Sequence, residues 1–145
     1  MPDTLSDSFN RAVALYRAGH LDEAEALCSA IVRAQAEDFH AFHLLAVVQL
    51  QLGRLHEALT SFDKALAIKP DYAEALIDRG ATLHNLQRFE EALASVDKAL
   101  AVKPDHPEAL YDRGITLQHL TRFEEALASF AMTRRWRSNR TMPRP

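Results

Sequence analysis

His40 and His43 lie three residues apart, a spacing that on a helix puts both imidazoles on one side and could suit a metal ion. No cysteine or carboxylate at ligand spacing completes the set. The pair falls on a face expected to be open to a partner, so peptide contact or plain surface exposure is the expected role. His84 and His119 fall near the ends of two further helices and are read in the same way. Cys28 is the one cysteine of the chain, which excludes an internal disulfide framework and fits a reducing compartment. It sits in an apolar stripe, where a buried, inert thiol is the expectation. No Ser/His/Asp set, glycine-rich phosphate loop or paired-cysteine motif is present in the sequence. The pairs Glu90-Glu91 and Glu124-Glu125 begin helices, where negative charge suits the helix dipole, and are read as structural. The expectation is a chain that is not an enzyme and needs neither cofactor nor metal.

A repeat positions these side chains. KALAIKPD starts at Lys64 and KALAVKPD at Lys98; RFEEALAS starts at Arg88 and again at Arg122; EALIDRG at Glu74 returns as EALYDRG at Glu108, each at an offset of 34. A fainter copy relates Gly19-His20-Leu21-Asp22-Glu23-Ala24 to Gly53-Arg54-Leu55-His56-Glu57-Ala58. A fixed period in this range marks stacked supersecondary units. The units run over 5–38, 39–72, 73–106 and 107–137, the first divergent and the last incomplete, with a basic tail over 131–145.

Each unit predicts two helices. In the third, Ala75, Leu76, Arg79, Gly80 and Leu83 follow helical spacing and Gln87-Arg88 interrupts it. Glu90 to Val102 follows with Ala92, Leu93, Val96, Ala99 and Leu100 on one stripe, and Pro104 ends the run. No segment alternates as a strand would, so the chain is expected to be all-α. Small residues recur in register: Ala12, Ala46, Gly80 and Gly114 form one column, and Ala24, Ala58, Ala92 and Ala126 another. Helices approach closely only where side chains are small, so these columns should mark the crossings inside each pair. Leu45, Cys28, Phe62, Val96 and Phe130 supply the bulk between them. A helix pair with one apolar face cannot bury it alone; stacked neighbours do.

Hydrophobic residues make up 48% of the chain, with four glycines and six prolines, which excludes disorder by composition. The opening MPDTLSDSFN is acidic and polar, and no run of roughly 18 apolar residues follows. A soluble, cytoplasmic chain is expected. The net charge of −3 conceals a split, −8 over residues 1–130 and +5 over 131–145.

The period and the columns resemble the tetratricopeptide repeat family over residues 5–130, with local departures in the first unit. There Ile31 stands where later units have Ala65 and Ala99, and Ala36 where they have Pro70 and Pro104. The resemblance implies a right-handed superhelical solenoid of antiparallel helix pairs, here about three and a half to four repeats. Its concave face, lined by the first helices, would bind peptides.

The tail departs from the repeat after Phe130, where DKALAIKPD is expected and AMTRRWRSNRTMPRP stands. Synonymous codons for this tail can be chosen so that a frame starting at the third base of the Met132 codon reads DKALAIKPDYAEA. That string is identical to Asp63 through Ala75, and all thirteen codons agree. Residues 131–145 are therefore read as a shifted frame of an ancestral further repeat. The alternative is a true basic tail for nucleic acid or membrane, with Trp136 among its arginines as a stacking group; the acidic body, which repels phosphate, argues against it. A terminal repeat needs a polar outer face, so end-to-end self-association at the uncapped C-terminal end is expected.

On the first helices, the face away from the small-residue columns carries Phe9, Asn10, Val13 and Tyr16 in unit one, and His40, His43, Leu44 and Val47 in unit two. Units three and four offer Glu74, Ile77, Asp78 and His84, then Glu108, Tyr111, Asp112 and His119. Apolar and aromatic residues exposed in succession mark a binding face, and the acid pairs Glu74/Asp78 and Glu108/Asp112 favour a partner bearing Lys or Arg beside an apolar anchor. Family clamps for carboxylate tails use Lys, Arg and Asn here, so that partner class does not fit. Asn10 fits the asparagine ladder of O-linked N-acetylglucosamine transferases; Leu44, Asp78 and Asp112 depart from it. The expected partner is a protein or peptide with basic residues, with no nucleic acid and no membrane. The alternative is the substrate-recruiting N-terminal part of a larger enzyme, since bacterial glycosyltransferases of that type have stretches similar to residues 9–60.

Overall fold

The computed structural model describes residues 4–120 and 122–141; the last four residues of the basic tail lie outside the described residues. The chain is all-α. Its helices are α1 (Leu5–Arg17), α2 (Leu21–Ala34), α3 (Phe39–Gln51), α4 (Leu55–Ile68), α5 (Ala73–Asn85), α6 (Phe89–Val102), α7 (Pro107–His119) and α8 (Phe123–Thr141). Among the described residues there is no strand.

Local chemistry sets these boundaries. Thr4 and Asp7 form a capping box at α1: the Asp7 amide donates to Thr4 Oγ1, and the Thr4 amide to Asp7 Oδ2, both at 3.1 Å. Hydrogen bonding from the Thr4 side chain, and then from the Thr4 amide, holds the Asp7 carboxyl below its ordinary range. Asp38 caps α3 by accepting from the Ala41 amide, and Pro107 opens α7, where a missing amide hydrogen costs nothing.

The turns inside the pairs share one geometry. Gly19, Gly53 and Gln87 take left-handed φ of 83°, 78° and 60°. The next amide in each case, from His20, Arg54 or Arg88, reaches back 2.9 Å to the carbonyl of Leu15, Gln49 or Leu83. This is a Schellman-type helix end, which favours glycine at its left-handed residue; Gln87 holds the position without that freedom. Helices α6 and α8 then begin with an Arg-Glu clasp. Arg88 donates to both carboxylate oxygens of Glu91, at 2.9 and 2.6 Å, and Arg122 does the same to Glu125, at 3.0 and 2.8 Å.

The chain divides into two compact units, residues 1–70 and 71–145. In the first, α1 pairs with α2 and α3 with α4, and α2 packs on α3. Ala12, Cys28, Ile31, Ala41 and Leu45 form its core cluster, with Phe9 and Leu44 packed against it. Burial, with Glu25 nearby, pushes the Cys28 thiol up to about 12, so it is the inert thiol expected. Arg54 and Glu25 form an ion pair between α4 and α2.

In the second unit α5 pairs with α6 and α7 with α8, while α7 packs on both α6 and α5. Leu93, Leu117 and Ala126 cluster there with Leu120 and Phe130. The small-residue columns are the crossings: a Cβ on Gly80 would sit 2.7 Å from Val96 Cγ2, and one on Gly114 would meet the Phe130 ring. Arg113 ties three helices together, donating to Asp97 at 2.8 Å and to Ser129 Oγ at 2.7 Å. The change of sequence after Phe130 leaves no break in the backbone. Helix α8 runs for 19 residues against 14 in α2, α4 and α6. Thr133 is buried, as are Ala65 and Ala99 in the same column of earlier repeats.

Candidate functional site

The first helices carry the expected face, and each unit presents its own part of it. On α1 and α3, Asn10 and His40 are exposed, while Phe9, Val13, Tyr16, His43, Leu44 and Val47 are half-buried. Leu5, Phe9 and His40 border a shallow depression of about 290 Å³ between the starts of these helices. Phe9 and Leu44 also serve the core, so only part of each ring or branch is offered outward. His40 lies 4.2 Å from the Phe39 ring and His43 5.9 Å from Phe62, centroid to centroid. Among the described residues no group of three or more His, Cys, Asp or Glu could hold a metal ion.

In the second unit the acid pairs separate in character. Glu74 is exposed and meets Lys103 Nζ at 3.3 Å; a backbone hydrogen bond, and then Lys103, hold its carboxyl below the usual range. Asp78 is half-buried and Glu108 exposed. Asp112 is half-buried, and burial, with Glu108 and Asp78 adding like charge, pushes its carboxyl up to about 6. The acids are thus a graded set and not two equal pairs.

Ile77 departs from expectation. It is only 2% exposed and offers no contact to a partner. It stands one turn after Ala73 and one turn before Gly80, both buried, and so continues the core stripe of α5. Tyr111, one repeat later in the same column, is 49% exposed, with its ring 5.8 Å from that of Phe130 on α8, centroid to centroid. His84 and His119 meet each other at 4.8 Å, centroid to centroid, and share the Phe89 ring, which stacks on His119 at 4.7 Å with 3° between planes. Burial, then His119, lowers the His84 pKa, and its Nε2 is buried without a hydrogen-bond partner. These two histidines close one end of the helix pairs as a ring cluster.

A cleft of about 190 Å³ opens between α5 and α7, bordered by Gly80, Ala81, His84 and Asn85 on one side and Asp112, Ile115 and Thr116 on the other, with Val96 below. Of these, the sequence singled out His84 and Asp112 as contacts. Ala81 and Ile115 lie three residues after Asp78 and Asp112, so the acid column extended by one helical turn would have found them. Phe89 has no such signal, since it reaches the site from the start of α6. Trp136, half-buried, borders a depression with Pro107, Glu108 and Tyr111, so the tail aromatic lies beside α7.

Among the described residues, no helix is long and apolar enough to cross a membrane. No curated protein matches the chain in sequence. Among solved structures, a crystal structure of MamA is similar with a TM-score of 0.91 at 16% identity, covering 96% of this chain and 81% of that one. MamA 41-end from Desulfovibrio magneticus RS-1 gives a TM-score of 0.86 at 22% identity, covering 94% and 77%. At those identities the likeness is one of fold. Three family models described as tetratricopeptide repeat match residues 9–73, 49–98 and 79–132. With the helix pairs, the small-residue crossings and the matched span in hand, the chain belongs to the tetratricopeptide repeat family.

Proposed function

We propose that this protein is an interaction scaffold that holds a segment of a partner protein against the open face of its first helices. The family supports a protein-binding role. The observation that carries the finer reading is the face of α5 and α7, where Asp78, Glu108 and Asp112 gather, with Tyr111 exposed on the same helix as the last two. Clustered acid next to an aromatic suits a segment bearing lysine or arginine beside an apolar anchor, the charge giving specificity and the ring giving contact area. The half-buried Phe9, Val13 and Tyr16 of α1 are the corresponding apolar contacts in the first unit. An array of basic and acidic peptides, probed with wild type and with the double variant Asp78→Lys, Asp112→Lys, tests this. Selective capture of basic peptides that the variant loses supports the reading; capture unchanged in the variant refutes it.

The second partner of the same scaffold is another copy of the chain. Leu127 and Met132 are exposed on α8, and the basic tail against an acidic body gives opposite charges to an end-to-end contact. Size-exclusion chromatography over a wide concentration range should show mass rising with concentration, and Leu127→Lys with Met132→Lys should remove the rise. A monomer at every concentration would exclude it.

A further inference from the structure

The cleft between α5 and α7 is too small for an ordinary small-molecule site, where pockets span roughly 300–1,000 Å³, and suits one side chain. Its flanks are apolar: Ala81 and Ile115 face across it, and the missing side chain at Gly80 lets Val96 reach its floor. Its polar border is made by Asp112, His84, Asn85 and Thr116, and includes no lysine or arginine. Asp112 stands on the α7 wall, half-buried, and the charges that act on it, Glu108 from its own helix and Asp78 from α5, are both negative. From α5 comes His84, whose burial favours the neutral ring and whose Nε2 has no hydrogen-bond partner. Among the described residues, helix α6 contributes only the uncharged Val96 to the lining and α8 contributes none.

An apolar slot with a carboxylate and a neutral imidazole at its edge complements a long side chain with a methylene stem and a cationic head. A carboxylate held in partial burial beside two other acids gains more from an arriving cation than a solvated one does. One carboxylate and one imidazole fall short of a metal site, consistent with the lack of any three-ligand group among the described residues. We propose that this cleft receives a single lysine or arginine side chain of the bound partner, its stem against Val96 and Ile115 and its head on Asp112. This rests on the peptide-binding reading above and names the position where that reading gains its selectivity.

The test uses single-residue probes on the full, isotope-labelled chain. Nα-acetyl-arginine methylamide and Nα-acetyl-lysine methylamide are titrated against it by NMR, with the norleucine analogue as the uncharged isostere. Saturating shifts should centre on the amides of Gly80, Ala81, Asn85, Ile115 and Thr116. The norleucine probe should bind about tenfold more weakly, as expected when a charge-assisted hydrogen bond is lost. Asp112→Asn should weaken both cationic probes by about as much, and Ala81→Leu, which fills the slot from its wall, should do the same without touching the acid. Lowering the pH from about 7.5 to about 5 should release the probes from wild type and change little in Asp112→Asn. Equal binding of norleucine, shifts centred elsewhere, or full affinity in both variants would overturn the proposal. Basic peptides captured equally by wild type and Asp112→Asn would remove the cleft and leave the scaffold reading standing. Probes saturating the cleft while no peptide binds would do the reverse.

Discussion

The pairs α5–α6 and α7–α8 carry nearly the same repeat and expose different residues. Leu93 on α6 is 6% exposed, whereas Leu127, one repeat later on α8, is 67% exposed. Ile77 on α5 is almost fully buried, and its counterpart Tyr111 is open. Leu93 clusters with Leu117 of α7 and with Leu120 just after it, and among the described residues no helix follows α8 to do the same for Leu127. For the two leucines, identical in type, burial is therefore a property of place in the stack. The same leucine is core in one pair and a candidate contact in the next.

The largest effect should come from the leucines themselves. Leu93→Ala is expected to cost about 3 kcal/mol in urea unfolding, a transfer loss plus a cavity, while Leu127→Ala should stay within about 0.5 kcal/mol. Equal costs would break the comparison. Next come the crossing glycines. Gly80→Ala places a Cβ against the buried, stiff Val96 and should cost about 2 kcal/mol; Gly114→Ala meets the half-buried Phe130 ring, which can swing outward, and should cost less than about 1 kcal/mol.

The third test uses pH. Folding raises the Asp112 pKa from 3.8 to about 6, so the native state resists ionisation more than the unfolded chain does. The resulting penalty is absent below the unfolded value and grows as pH rises through the folded one. Asp112→Asn should therefore stabilise the protein by about 1–2 kcal/mol near pH 7.5, allowing for partial solvation, and by almost nothing near pH 4. Urea unfolding at both pH values checks it, and a benefit larger in acid would reverse the sign. The smallest effect lies in the α5–α6 turn: Gln87→Gly should stabilise by about 1 kcal/mol, because left-handed backbone costs a side-chain-bearing residue that much. A loss of melting temperature would show that the glutamine side chain holds the turn.

The period, the helix pairs and the small-residue crossings were legible because each is written locally and repeated in register. Ala12, Ala24, Ala58 and Ala92 are buried where the columns put them. The open face was less legible, for reasons visible at three positions. Ile77 and Tyr111 share a column, but a column assigns a direction on the helix and not what packs there. Glu74 was grouped with Glu108, yet Lys103 from the end of α6 reaches Glu74. His84 and His119 are 35 residues apart and not 34, which turns them out of common register by one position; their meeting at Phe89 depends on how the helix ends converge. The run of α8 through the tail was also unannounced, since arginine favours helix as well as the missing repeat residues did.

The parallel stack of Phe89 on His119 carries a practical consequence. Ring currents from the phenyl face should move the imidazole protons of His119 upfield, and those protons resonate in a sparsely occupied part of the spectrum. Opening of α7 away from α6 would erase that displacement. A single histidine signal would thus report, without any added label, how often the terminal hairpin lifts from its neighbour and how a captured peptide changes that rate.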